Sequence, residues 1–273
     1  MESFERINPV SGHRRHGIFH GPTETMAALS IIHGFGEHSG RYEHMMKALA
    51  EQGIASLAMD LEGHGRFADK KGVCRNYDIL RADVDMSLAE LGMRFPNVPQ
   101  FLFGHSLGGG LVLNYGLQQS PDIKGFIVSA PLIVPADPIS NGLRVLVRTL
   151  RRFMPGVTLS NPISGDKVSS IAAEREKYEK DPLNHGRLGV GLAQDMILGG
   201  EWVADNAEHW RAPLLLMHAR ADKLTSFAAS EAFAHQAKNC TFLPMENCEH
   251  EMHNDVTRDA VYQSMIDFIK ALL

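Results

Sequence analysis

Residues Phe101 to Gly110 read FLFGHSLGGG, an apolar run that ends on one serine among four glycines. Glycine inside regular structure is less stable than alanine by roughly 0.5 to 1 kcal/mol, so this density is expected only where the backbone must pass closer to its neighbours than side chains allow. Gly104-His105-Ser106-Leu107-Gly108 is a G-x-S-x-G pattern between a predicted strand and a predicted helix. In such a turn the serine takes a strained backbone that lifts its hydroxyl above the sheet, and the two flanking glycines let strand and helix meet. Ser106 is therefore the candidate nucleophile.

The rest of the chain supplies a sheet for that turn. Apolar runs at Ala28–Gly34, Ile54–Asp60, Gly125–Ala130, Pro213–Ala219 and Thr241–Met245 alternate with helical patterns over Tyr42–Gln52, Ile79–Phe95, Leu111–Gln119 and a last segment to Leu273. Several runs are apolar on both faces, as buried parallel strands must be. The pattern predicts an α/β fold with a mostly parallel, doubly wound sheet, entered through a hairpin in residues 1–28. Alternation fails between Pro131 and Trp210, a stretch too long for one crossover. Residues 1–130 and 211–273 are expected to form the core, and 131–210 a helical cap (lid) insertion over the strand ends where ligands bind.

At 273 residues with 44% hydrophobic content, the chain can fill one large core. A net charge of −5 gives no basic field for nucleic acid, which is not expected as a partner. Three cysteines without repeated spacing suit a reducing compartment and neither a disulfide framework nor a cysteine zinc site. No signal-peptide pattern and no run of about 18 apolar residues is seen, so a cytoplasmic location is expected.

A second glycine motif, HGFGEHSG at His33–Gly40, also ends a strand, and Asp60 closes the next one. Alone it approximates a dinucleotide fingerprint and keeps open a nucleotide-dependent oxidoreductase using the His33–Asp60 region. Its third glycine falls one position late, and no tyrosine is followed four residues later by lysine.

A serine hydroxyl needs a base, and the base a carboxylate, each expected just past a strand end in the order Ser, acid, His. Asp222 follows PLLLMHA by three residues, whereas Asp137, Asp195 and Asp205 lie in the presumptive cap with no strand before them. ENCEHEMHND after the last strand offers His250 and His253. His250 is nearer the strand end and is the expected base. The HEMH spacing is one residue short of a zinc-binding HExxH helix, so no metal is expected. The N–H of Leu107, opening a helix, and the N–H of Phe35, in the loop after an early strand, are the expected oxyanion donors. Both glycine motifs then serve one site.

With HGFGEHSGRY, DLEGHG, GHSLGG, ARAD and a distal HExH in order, the sequence resembles the monoacylglycerol lipase and lysophospholipase family of α/β-hydrolases over nearly its whole length. The resemblance implies the α/β-hydrolase fold, a serine esterase needing no cofactor, and a lipid ester as substrate. It further implies a polar pocket for the glycerol end formed by Glu37, Arg41 and His253. One departure is that Gly63-His64-Gly65-Arg66 continues to Phe67, where the family has a small serine. A lysophospholipase or a general carboxylesterase of the same fold is the alternative.

Within the cap, GLRVLVRTLRRFMPG sets Leu143, Leu146, Val147, Leu150 and Met154 on one side of a helix and Arg144, Arg148, Arg151 and Arg152 on another. Either the apolar side turns onto an acyl tunnel or the core with its arginines solvated, or the helix lies in a membrane surface. Cys248, two residues from His250, suggests inhibition by bulky thiol reagents.

Overall fold

The computed structural model describes all residues 1–273. The chain opens with an antiparallel hairpin, β1 (Glu2–Ile7) and β2 (Arg14–His20), and then alternates strands with helices: β3 (Ala27–Ile32), α1 (Glu43–Ala50), β4 (Ile54–Met59), α2 (Tyr77–Arg94), β5 (Gln100–His105), α3 (Leu107–Gln119) and β6 (Gly125–Ser129). After an interruption it resumes with β9 (Leu214–Ala219), α8 (Phe227–Gln236), β10 (Cys240–Met245) and α9 (Arg258–Ala271). The interruption holds α4 (Asn141–Phe153), β7 (Thr158–Ser160), α5 (Gly165–Val168), α6 (Ala172–Lys180), β8 (Arg187–Gly189) and α7 (Val190–Asp205), with β7 and β8 paired as a small antiparallel ribbon.

The main sheet has the order β1-β2-β4-β3-β5-β6-β9-β10, parallel from β4 to β10 and antiparallel at the hairpin edge. Period-two alternation divides the core. Phe101 and Phe103 of β5 pack with Met45, Met46 and Leu49 of α1 and Val261, Met265 and Ile269 of α9. Leu102 packs on the opposite face with Leu80 and Val84 of α2, Leu111 and Val112 of α3, and Phe233 of α8. Helix starts follow local chemistry: the side chains of Asn76 and Ser226 accept from the N–H groups of Ile79 and Ala229 at 3.2 Å each, capping α2 and α8.

The helix after the serine opens at Leu107, as its expected role as an oxyanion donor requires, so Gly108, Gly109 and Gly110, which precede the periodic pattern from Leu111, are helical. Glycine disfavours helix in isolation, but here the packing decides. A Cβ on Gly108 would collide with the Ile32 carbonyl, one on Gly109 would crowd Pro131, and one on Gly110 would press on the Leu132 carbonyl at 2.5 Å. Close approach of α3 to β3 and to the chain after β6 thus overrides propensity.

Residues 131–210 are two structures in one segment. Helix α7 buries Leu192 and Val203 in the core layer beside α3, while the chain from α5 to β8 lies across the C-terminal ends of the strands. There His185 N–H donates to Gly36 O (2.8 Å), Glu251 N–H to Val168 O (2.9 Å), and His38 pairs with Asp181 at 2.9 Å.

Helix α4 follows the first of its two readings only in part. Its packed stripe is Arg144, Val147 and Arg151, because the two arginines pair with Glu201 and Asp195 of α7. The apolar side is divided: Val147 is buried and Leu150 half-buried, while Leu146, Phe153 and Met154 stay 49%, 74% and 54% exposed. No helix is long and apolar enough to cross a membrane.

Candidate active site

Ser106 sits at the end of β5 with φ 54° and ψ −115°, a conformation that stores about 1 to 3 kcal/mol of strain in a residue with a side chain. The surroundings impose it. Ser106 N–H donates to Ser129 O on the neighbouring strand at 3.0 Å, and its carbonyl accepts from Leu132 N–H at 2.8 Å and Gly110 N–H at 2.9 Å. A Cβ at Gly104 would strike the Gly108 carbonyl, so the sharp turn needs glycine at that position.

Asp222 and His250 arrive from the loops after β9 and β10. His250 Nδ1 lies 2.6 Å from Asp222 Oδ2. The carboxylate is wholly buried and accepts from Leu224 N–H (2.7 Å), Thr225 N–H (3.0 Å) and the Thr225 hydroxyl (2.8 Å) as well. Burial would raise this carboxyl, but the charge of His250 and hydrogen bonds from His218 and His250 outweigh it and hold Asp222 far below the usual carboxylate range. His250 answers in the opposite sense: burial would lower it, yet the Asp222 charge and hydrogen bond, helped by Glu251 and Glu37, raise it above its ordinary value. Asp137 and Asp205 are exposed, and Asp195 is taken by Arg151, so none of these acids serves His250.

Ser106 and His250 line one cavity with Gly34, Phe35, His105, Glu37 and Glu251. A Cβ on Gly34 would lie 3.2 Å from the Ser106 Cβ, which places the HGFG loop directly beside the serine. The N–H of Phe35 has no acceptor within the protein, and Leu107 N–H opens a helix, where no intrahelical acceptor exists. No hydrogen bond closes between Ser106 and His250. The cavity is small, about 10 Å³, room for a single water molecule. Its roof comes from the interrupting segment, through Ile163, Val168 and Tyr178. A larger cavity of about 140 Å³ lies apart from this chemistry, between β2 and the loop of residues 60–75.

The polar side of the cavity is a charge cluster. Arg41 makes a two-pronged bond to Glu251 (2.5 and 2.7 Å) and a third to Glu37 (3.1 Å), while the Tyr42 hydroxyl donates to Glu37 at 2.8 Å. Burial pushes the Glu37 carboxyl up despite Arg41. Of the three residues expected around a glycerol end, Glu37 lines the cavity and Arg41 braces it from behind. His253 does not reach it: the ring is fully buried, stacked on Tyr42 at 5.2 Å and edge-on to His105 at 4.8 Å, with neither nitrogen hydrogen-bonded. Glu251, absent from the sequence expectation, takes that place on the wall.

Asp60, which a dinucleotide reading would assign to a ribose, is filled by the Ser39 N–H (2.9 Å), the Ser39 hydroxyl (2.7 Å) and Arg66 N–H (3.0 Å). It ties the HGFG loop to the turn of Gly63 and Gly65, in which Phe67 packs outward under Arg14 at 4.3 Å. Cys248 is buried and its thiol is pushed up to about 11 by burial. A thiol so placed is neither accessible nor ionised at neutral pH, against the sensitivity its position in the sequence suggests.

Comparison with known proteins gives the family. Residues 23–257 match the family described as Serine aminopeptidase, S33. A monoacylglycerol lipase from Mycolicibacterium smegmatis is 27% identical over 250 residues, covering 90% of this chain and 89% of that one. An uncharacterized abhydrolase domain-containing protein from Dictyostelium discoideum is 36% identical over 251 residues; the match takes in 90% of this chain but only 26% of that longer protein. The crystal structure of Paleococcus ferrophilus monoacylglycerol lipase superposes with a TM-score of 0.85 at 26% identity, covering both chains completely. The chain belongs to the serine aminopeptidase S33 family and is a carboxylic ester hydrolase of the α/β-hydrolase fold, monoacylglycerol lipase-like in kind.

Proposed function

We propose that the protein hydrolyses monoacylglycerols to a fatty acid and glycerol through an acyl-enzyme on Ser106. The observation that carries this is the Asp222–His250 pair, 2.6 Å apart and opening on the cavity that Ser106 lines. His250 removes the hydroxyl proton as Ser106 attacks the ester carbonyl, and Asp222 holds the tautomer and stabilises the imidazolium that forms. The oxyanion is taken by the N–H groups of Phe35 and Leu107, a donor pair of which each member is worth about 2.7 to 4 kcal/mol of barrier in comparable sites. His250 returns the proton to the departing glycerol oxygen, and water then releases the acid by the same steps in reversed roles.

The lining favours a neutral head group. Glu37 and Glu251 are served by a single guanidinium, so hydroxyl groups can donate to their free lone pairs while a phosphate would be repelled. Phe35, Ile163, Val168 and Leu224 give the acyl chain its apolar contacts once the roof moves. The chain from α5 to β8 acts as the lid, and the outward side of α4, with the unpaired Arg148 and Arg152, meets the lipid surface from which substrate is drawn.

A hydrolysis panel tests the assignment. With monoacylglycerols of several lengths, lysophosphatidylcholine, diacylglycerol and a short aryl ester, kcat/KM for a monoacylglycerol should exceed that for lysophosphatidylcholine at least about tenfold, the effect of one unfavourable charge contact of about 1.4 kcal/mol. Equal or faster turnover of lysophosphatidylcholine would overturn the head-group assignment, and no turnover of any ester would overturn the reaction.

A further inference from the structure

Asp222 Oδ2 accepts from two imidazoles. Besides His250 Nδ1 at 2.6 Å, it lies 3.1 Å from Nε2 of His218, a residue of β9 whose side chain is wholly buried. The other ring nitrogen of His218 lies 2.8 Å from the hydroxyl of Ser230 on α8, also fully buried. An ionised carboxylate can only accept, so both imidazoles must point an N–H at Oδ2. Nδ1 then faces the Ser230 hydroxyl, which can either donate or accept. The edge of Phe227 closes the ring's remaining side at 5.7 Å. The two bonds to Asp222 therefore each have one direction, from imidazole N–H to carboxylate.

We infer that His218 is a positioning residue for the hydrolytic reaction, locking the Asp222 carboxylate so that Oδ2 faces His250 and sharing its negative charge with a second donor. This rests on the proposed role of His250 as base. Thr225 alone cannot do the same work, because its single proton is contested by Asp222 Oδ2 at 2.8 Å and the Ala130 carbonyl at 3.1 Å. Without the His218 N–H, Asp222 would hold its charge less tightly shared and bind the proton on His250 more firmly. The groups facing His250 are otherwise unchanged by such a substitution: Glu251 on its own loop, Glu37 from the loop after β3, and His105 at the end of β5.

The test compares His218→Leu, His218→Gln and His218→Asn with the wild type. Gln can place an N–H where Nε2 stands, whereas Asn reaches only the Nδ1 position. Two readouts are taken: kcat and KM against pH on a short soluble ester, and the titration of the His250 Nδ1 proton by NMR, which needs no turnover. Leu should lower kcat about 10- to 100-fold with KM little changed, the loss expected for one hydrogen bond to a charged group, and move the His250 titration upward in pH. Gln should restore both to near wild type, and Asn should not. If the Leu variant fails to fold, the Gln and Asn pair decides, since both keep a polar side chain of similar kind. An unchanged titration and kcat in Leu, or equal behaviour of Gln and Asn, would overturn the inference. A wild type that turns over no ester but whose His250 titration still moves with His218 would overturn the hydrolytic reading alone.

Discussion

At Ser106, a backbone conformation that side chains avoid is held by three hydrogen bonds from neighbouring strands and helix, and at His250 a buried imidazole is made more basic by the carboxylates around it. The second fact has a kinetic consequence. The base must be neutral to take the serine proton, and the free enzyme's base sets the acidic limb of kcat/KM. His250 stands above its ordinary value, so kcat/KM on a soluble ester should fall as pH drops, with the half-point above 6.5. A half-point at or below 6.5 would show that the Asp222, Glu251 and Glu37 charges do not act on the base as described. The residues that carry most of this were legible: Ser106 because glycines had to flank it, Asp222 and His250 because each follows a strand end. Glu251 and His218 were not. Glu251 matters through Arg41, more than 200 positions away, and no local pattern announces such a pair. His218 sits inside an apolar run, where sequence alone cannot tell a core histidine from one aimed at a carboxylate. His253, which the resemblance implies at the glycerol end, turns its ring inward onto Tyr42 and does not line the cavity.

Among elements, α3 and α4 show where pattern and packing part company. Helix α3 runs through three glycines that propensity disfavours, since only glycine permits the approach to β3 and to Leu132. In α4 a sequence with separate apolar and basic sides puts Arg144 and Arg151 on the packed side, because α7 presents Glu201 and Asp195 there. An isolated helix gives no sign of which side its partner will satisfy. The proposed contact of the outward side with a lipid surface would draw on burial of its large apolar side chains, each worth about 1.5 to 3 kcal/mol. Co-sedimentation with vesicles containing anionic lipid should capture the wild type and weaken as salt rises, through Arg148 and Arg152. Replacing Leu146 and Phe153 together with glutamate should abolish capture and leave turnover of a short soluble ester unchanged. Capture that is absent in the wild type, or indifferent to these substitutions, would remove α4 from the membrane.

Across the whole molecule, the sheet gathers onto one edge side chains that lie far apart in the chain, from residue 34 to residue 251. Its parallel character was legible in strands apolar on both faces; its order, with β2 and β4 antiparallel at the hairpin edge, depends on pairings that local patterns do not encode. The small size of the cavity, about 10 Å³, likewise follows from how the interrupting segment settles on the strand ends, held by backbone bonds from Glu251 and His185. In the proposed reaction, the convergence of Ser106, Asp222 and His250 at that place gives one hydroxyl among many its reactivity. Reaction with a fluorophosphonate, followed by mass analysis of the tryptic peptides, reads that reactivity at the residue itself. The wild type should carry a single adduct on the peptide of Ser106, Ser106→Ala should carry none, and His250→Ala should react at least about 100-fold more slowly, the contribution of a general base. An adduct on a different residue, or an unchanged rate without His250, would contradict the convergence on which the proposed chemistry is built.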